Sequence, residues 1–474
     1  MKDNVGVLLP ISSLPGRHGI GDFGPSSYKF VRWLKKNHYA YWQVLPINPL
    51  GPGNSPYMST CSEAIENRYI DLDELKKLGL VKHIPSFQPH SKKIQYEAVR
   101  LFKEKILYKA FLKFIKKPMR GYQKFKKDHP WLEKYALFIT FRKKMNFIQW
   151  NRWPKWMQNY FDEHSYLPSE DVMACEFEMF MQFVAYRQYY RLWKYARKMG
   201  IKIIADCPFY VGIDSTDCWL NKDEFLLDEN NHPTLVSGCP PDAFSDDGQL
   251  WGTPIYNFEK MKQNNYSFLV NRIGYLASTC DMLRLDHFRA FDTYCVIPAE
   301  DFNARRGKWE VGPREEFFDA LYAKYPNINL IAEDLGDLFP SVLELRDKYN
   351  LPGMYICEFT IFDENAMSTN RQIVYPGTHD NQTLFGWFKS LSKENKVFLQ
   401  NKFKEKNDKR LFAKIFSYIY SLPSFMTIFM LQDLLKMDDR GRINWPGTVG
   451  DPNWTFKFVD FEWVHKIVFP QEMQ

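Results

Sequence analysis

Three carboxylates close three separate apolar runs. Asp286 ends residues 282–286, Glu333 ends 330–333, and Asp380 ends 373–380. An acid with a second acid beside it can exchange glycosidic bonds with retention. One carboxylate attacks the anomeric carbon. The other, protonated, serves the leaving oxygen, the pair standing about 5–5.5 Å apart. The two must differ in charge. Arg284 precedes Asp286 by two residues, so on a strand both point to one side. A guanidinium there favours the ionised nucleophile, while neighbouring negative charge raises Glu333 toward the acid form. Any one of these acids reads equally well as a strand-end ion pair. Three in the same register favour the catalytic reading.

Such groups converge only if the elements carrying them do. Eight short apolar runs recur, at 5–9, 41–47, 201–206, 282–286, 330–333, 354–359, 373–380 and 425–432. Most are continuously apolar, as parallel strands covered on both faces are. Amphipathic helical segments lie between many of them, at 28–36, 184–198, 268–278, 314–324, 340–349 and 413–421. The expected fold is an α/β (β/α)8 TIM barrel in one catalytic domain, 1–474, whose strand C-termini meet at one site. The stretches 48–200 and 207–281 exceed any single crossover. They predict a mainly helical insertion over 60–198 and a loop-rich insertion over 209–265, both on the catalytic face.

Composition narrows the function. The 474 residues carry 25% charged and 45% apolar side chains, which excludes disorder, collagen and coiled coil. Aromatics reach 17%, enough for a large core with some faces left for flat apolar ligands such as sugar rings. Net charge is +7, yet residues 91–144 alone hold 17 Lys/Arg against four acids. Leu, Ile and Phe recur among them at helical spacing, so they read as the solvated face of helices. No nucleic-acid motif accompanies them. Eight scattered cysteines form no Cys-x-x-Cys, so neither a zinc site nor a disulfide scaffold is expected, and reduced thiols suit a cytoplasmic protein. Gly19-Ile20-Gly21-Asp22-Phe23-Gly24 matches a dinucleotide fingerprint, but lacks the adjoining strand and the later acid. It reads as a glycine loop before a helix starting at Pro25. No cofactor, metal, nucleic acid or membrane is expected as a partner.

The motifs resemble those of glycoside hydrolase family 77, the 4-α-glucanotransferases or amylomaltases of the α-amylase clan. The resemblance runs from Gly6 to about Trp454. It rests on Gly6-Val7-Leu8-Leu9-Pro10-Ile11-Ser12-Ser13-Leu14-Pro15, Trp42-Gln43-Val44-Leu45-Pro46, Asn54-Ser55-Pro56-Tyr57 and Asp206-Cys207-Pro208-Phe209-Tyr210-Val211. Pro240-Pro241-Asp242-Ala243-Phe244 and the stretch 248–256 follow, then the three carboxylate motifs, then Asn444-Trp445-Pro446-Gly447-Thr448.

The resemblance implies Asp286 as nucleophile, Glu333 as general acid/base and Asp380 as transition-state stabiliser touching sugar hydroxyls. It implies substrate contacts from Tyr57, Ser55, Asp206, Trp251, Tyr256, Arg284, His287, His379 and Asn381, with 248–256 as a mobile lid on the acceptor side. Donor and acceptor would be an α-1,4-glucan and a sugar. Thr253 and Ala290 depart from the family, which more often has Asn and Gly there. The residues themselves leave an α-1,4-glucan hydrolase with the same site, or a non-catalytic glycan-binding protein, as alternatives.

Overall fold

The computed structural model describes residues 4–88, 91–241, 247–336 and 338–465. Twelve strands follow in chain order. They are β1 (Val5–Leu8), β2 (Tyr41–Gln43), β3 (Lys202–Cys207), β4 (Leu235–Cys239), β5 (Gln249–Pro254), β6 (Met282–Leu285), β7 (Thr293–Pro298), β8 (Lys308–Val311), β9 (Leu330–Ala332), β10 (Gly353–Ile356), β11 (Gln372–Tyr375) and β12 (Met426–Met430). Eight of them form one parallel sheet in the order β10-β11-β12-β1-β2-β3-β6-β9. Its two edges meet where the Ala332 amide donates to Pro352 O at 2.9 Å and the Met354 amide donates to Asp334 Oδ1 at 2.7 Å. Gly353 is required at this closure, since a Cβ there would stand 2.4 Å from Asp334 Oδ2. The sheet is a (β/α)8 barrel, and each of the eight apolar runs supplies one strand.

The unbroken apolar character of these runs has a simple cause. Alternate residues face two different cores. Leu8, Tyr41, Ile204, Ile331, Met354, Ile356, Ile373, Tyr375 and Ile428 fill the barrel interior. Val7, Trp42, Ile203, Leu283, Leu285, Ala332, Val374 and Phe429 pack outward against the helices. Toward the C-terminal mouth the interior turns polar. Tyr375 donates to Gln43 Oε1 at 2.8 Å, and Asp206 and Arg284 pair side by side in register.

The surrounding helices include Pro25–Lys36, Val172–Lys198, Ser267–Ala277, Arg314–Lys324, Pro340–Lys348 and Asp408–Ser421. The first begins at Pro25, as expected, with Gly24 as N-cap. The glycine stretch before it is a turn in which Asp22 Oδ1 accepts the Gly24 amide at 3.0 Å. Helix Val172–Lys198 is longer than its apolar pattern indicates, because buried polar residues interrupt the pattern. Gln182 holds the Ile65 backbone on both sides (2.9 and 2.8 Å), and Gln188 does the same for Asp71 (2.7 and 3.0 Å).

Between β2 and β3 the chain is mostly helical, with Tyr96–Phe114 and Leu132–Lys144 packed against Val172–Lys198. Most basic side chains of 91–144 are exposed, as expected of a solvated face, and a few are not. Lys103 is 1% exposed and donates to Arg68 O (2.6 Å) and Ile70 O (2.7 Å), beside Asp22. Lys143 bridges Glu104 and Glu178, Lys126 pairs with Glu176, and Arg142 with Asp214. These few charges pair mostly with acids elsewhere in sequence. Among the described residues no helix is long and apolar enough to cross a membrane.

The segment after β3 differs from expectation. Residues 249–254, read as a loop, form β5, an edge strand of a four-stranded antiparallel sheet, β5-β4-β7-β8. A buried hydroxyl pair, Ser237 with Thr253, ties β4 to β5. Residues 242–244 of the Pro240 motif lie outside the described residues.

Candidate active site

Register builds the centre of the site. Asp206 on β3 is the partner of Arg284 on β6, and both point into the barrel mouth. Arg284 Nη1 donates to both Asp206 oxygens at 2.7 Å and to Asp286 Oδ1 at 2.9 Å. Arg284 and Asp206 are almost fully buried, whereas the Asp286 side chain is 26% exposed. Asp206 therefore orients the guanidinium, and the guanidinium orients Asp286.

Glu333 follows β9, next to β6, whose backbones are about 4.8 Å apart. The Glu333 amide donates to Leu285 O at 3.1 Å, and the Phe288 amide donates back to Glu333 O at 3.1 Å. Its Oε2 accepts the His287 amide at 2.7 Å. That amide is presented by a left-handed turn, His287 having φ 52°. The left-handed turn right after Asp286 thus aims a donor at the neighbouring carboxyl.

The two carboxyls differ in environment. Burial pushes Glu333 well above the usual carboxylate range. The Asp286 charge adds to this, and Arg284 and the His287 amide oppose it. Burial also raises Asp286, to about 7, with Arg284 opposing and Asp206 and Asp380 adding to the rise. Arg284 touches Asp286 as expected, but it is shared with Asp206 and does not return Asp286 to the ordinary range. Arg284 opposes the rise in both, and the Asp286 charge adds to the rise of Glu333, as a nucleophile beside an acid requires.

Tyr57 covers this centre. Ser55 Oγ accepts the Tyr57 amide at 3.2 Å and so caps the short turn Pro56–Met58. Tyr57 then donates its hydroxyl to Asp206 Oδ2 at 2.6 Å and stacks on His379 (5.3 Å, 6°). His379 is 2% exposed, and burial lowers its pKa, which keeps it neutral. Asp380 stands beside it with its side chain 43% exposed. Asn381 Oδ1 accepts from the Thr378 amide (2.8 Å) and hydroxyl (2.9 Å), so it shapes the turn.

Asp380 is held from far along the chain. Asn444 Nδ2 donates to its Oδ1 at 2.7 Å, and Arg442 Nη2 donates to its backbone O at 2.9 Å. Asn444 lay inside a recognised motif and Arg442 just before one. Nothing in their spacing marked either as a partner of Asp380.

Trp251 of β5 meets the His287 ring edge to face (4.9 Å, 89°). His287 Nε2 is buried without a hydrogen-bond partner, which leaves a polar atom available next to the cleft. Tyr256 is a correction. It is 1% exposed, donates its hydroxyl to Phe209 O at 2.7 Å, and packs among Phe209, Tyr210, Phe225 and Phe268. It anchors the end of β5 in the core and has no face on the cleft. Its position after a Gly-rich stretch suggested exposure, but the strand turns inward at Thr253.

Away from the mouth, Cys61, Glu63 and Asp217 bring three ligand-type atoms within 4.8 Å. The linear spacing did not show this group, since Asp217 comes from beyond β3. Its atoms already have protein partners. The Cys61 thiol donates to Glu63 Oε2 (3.4 Å), and the Ser62 amide to Asp217 Oδ2 (2.9 Å).

Comparison with known proteins covers almost the whole chain. A family model described as 4-alpha-glucanotransferase, glycoside hydrolase family 77, matches residues 9–461. The chain belongs to the 4-alpha-glucanotransferase family. A 4-alpha-glucanotransferase of Clostridium butyricum is 37% identical over 473 residues, covering 95% of this chain and 96% of that one. One from Thermus thermophilus is 32% identical, covering 96% and 95%. Among solved structures, the amylomaltase from Streptococcus agalactiae in complex with acarbose superposes with a TM-score of 0.89 at 31% identity. It covers 96% of this chain and 95% of its own. Family 77 membership accounts for the barrel, the strand-end carboxylates and the motif order together.

Proposed function

We propose that this 4-alpha-glucanotransferase moves α-1,4-glucan segments from a donor to a sugar acceptor by retaining double displacement. Asp286 is the nucleophile and Glu333 the acid/base. The observation that carries the reading is the arrangement of these two carboxyls. They stand on adjacent strand ends, one bonded to Arg284 and the other to the His287 amide. Donor glucan lies across the barrel mouth. Asp286 attacks the anomeric carbon while Glu333 gives its proton to the bridging oxygen, and the leaving glucan departs. Glu333, now ionised, takes the proton of an incoming sugar hydroxyl. That oxygen displaces Asp286 and restores an α linkage.

Asp380 stabilises the transition state through the sugar hydroxyls, and His379, held neutral, donates or accepts beside it. Tyr57, stacked on His379 and bonded to Asp206, closes the floor of the reacting ring's site. Arg284 acts on the nucleophile. Trp251 and His287 flank the acceptor. Transfer in preference to hydrolysis then depends on acceptor binding and exclusion of water at β5. Ser55 and Asn381 serve by shaping the turns that present Tyr57 and Asp380.

Incubation with maltotriose tests the reading. Transfer yields glucose together with a ladder of longer oligosaccharides. Products that are only shorter than maltotriose would assign the chain to hydrolysis with the same carboxylates.

A further inference from the structure

Segment 376–386, which carries His379 and Asp380, rests on three acids, two buried and one, Asp439, half-buried. Asp433 accepts the Leu384 amide at 2.8 Å and the Met430 amide at 3.3 Å. Asp439 accepts the Thr383 amide at 3.2 Å and the Gln382 side chain at 2.6 Å. The third, Glu358, lies just beyond β10 and is 8% exposed. Its own amide donates to Pro376 O at 3.0 Å. Its carboxyl presses against Gly377, where a Cβ would stand 3.0 Å from both its Cδ and its Oε1. Unlike the other two acids, it has an oxygen, Oε1, that is buried without any hydrogen-bond partner.

A buried carboxylate with no donor is costly, whereas the neutral acid is tolerated. Arg442, the cation facing it among the described residues, is engaged elsewhere, donating to Asp380 O (2.9 Å) and Asn444 O (2.8 Å). We propose that Glu358 is a positioning residue for transfer, a wedge beneath Gly377 that fixes the turn carrying His379 and Asp380 and leaves Arg442 to hold the Asp380 backbone. The charged and titratable groups around it agree with a neutral wedge. Burial pushes Glu358 well above the usual carboxylate range, Asp433 and Asp439 add to the rise, and Arg442 opposes it. An ionised Glu358 would compete with Asp380 for Arg442. The wedge rests on the role of Asp380 given above, because Glu358 acts only through that turn.

Steady-state transfer kinetics on the full chain test this, with thermal unfolding measured in parallel. Glu358→Gln keeps both shape and neutrality and is expected to retain kcat within about threefold. Glu358→Ala removes the wedge and is expected to lower kcat about 10- to 100-fold with KM little moved, since a displaced Asp380 matters most in the transition state. Glu358→Asp keeps the acid, withdraws it by one methylene, and is expected to show a smaller loss of kcat. It carries the test if the alanine variant does not fold.

Unchanged kcat in both shortened variants overturns the proposal. So does a Glu358→Gln variant as impaired as Glu358→Ala, because that would mean an ionised carboxylate is needed. The underlying reading fails separately, if Asp380→Asn keeps its kcat. The wedge alone fails if Asp380→Asn is inactive and the Glu358 variants are not impaired.

Discussion

The two sides of the mouth are built by different means. On one side Asp286 and Glu333 each stand one residue past the last residue of a strand, β6 and β9. Their partners Asp206, Arg284 and the His287 amide belong to the same three neighbouring strands or lie within two residues of their ends. On the other side Asp380 stands five residues beyond β11. It is held by Asn444 and Arg442, 64 and 62 residues further on. The first side inherits its geometry from the sheet. The second is assembled from loops and side-chain props. Asp286 and Glu333 are thus placed by strand register, and Asp380 by side-chain props from far along the chain.

Substitutions separate the two sides. The largest effect is expected from Asp286→Asn, a loss of about 10⁴-fold or more in kcat, read by single-turnover transfer. Next comes Arg284→Met, about 10²- to 10³-fold, because the buried acids Asp206 and Asp286 then face each other without the cation. The pH profile of kcat/KM should show the same dependence. Asp286 must be ionised, so activity falls as pH drops through its raised value. Glu333 must be protonated, so activity falls again at higher pH. Loss of Arg284, which opposes both rises, moves both limbs to higher pH. An acid limb in the ordinary aspartate range would mean that Arg284 outweighs burial.

On the loop side smaller effects are expected. Asn444→Ala should cost about tenfold, mostly in kcat, by freeing the Asp380 carboxylate. Losses there equal to those of Arg284→Met would remove the contrast between the sides. Smallest in activity is Tyr256→Phe. It removes one of two donors to Phe209 O, Arg272 Nη1 remaining at 3.2 Å, and should cost about 0.5–1.5 kcal/mol of unfolding free energy in a denaturant titration, with little change in kcat.

What the sequence made legible follows the same division. The eight strands, the Pro25 helix start and the strand-end positions of Asp286 and Glu333 were readable, because strand periodicity and short spacings encode them, whereas Asp380 lies on the loop beyond β11. Arg284 beside Asp286 was readable from a spacing of two. The clamp of Asp380 by Arg442 and Asn444 was not, since no local pattern joins positions more than 60 apart. Tyr256 was misassigned because a Gly-rich context signals exposure only while the chain stays at the surface. Lys103 was taken with its neighbours as solvated, and only the folded chain brings Arg68 O and Ile70 O to its ammonium. The edge strand β5 was hidden because its partner β4 precedes it by a segment without strand pattern.

The barrel closure near Glu333 has a kinetic consequence. At the β9–β10 edge the described contacts are one amide bond to Pro352 and one to the Asp334 side chain, instead of a continuous ladder. This seam is the place where the cylinder opens at least cost. Glu333, the residue after β9, adjoins it. On heating, the amides of Ala332 and Met354 should exchange with solvent deuterons ahead of those in β1 and β12. Inactivation should then run ahead of loss of helical signal, so the working lifetime of this enzyme is set by its seam rather than by its core.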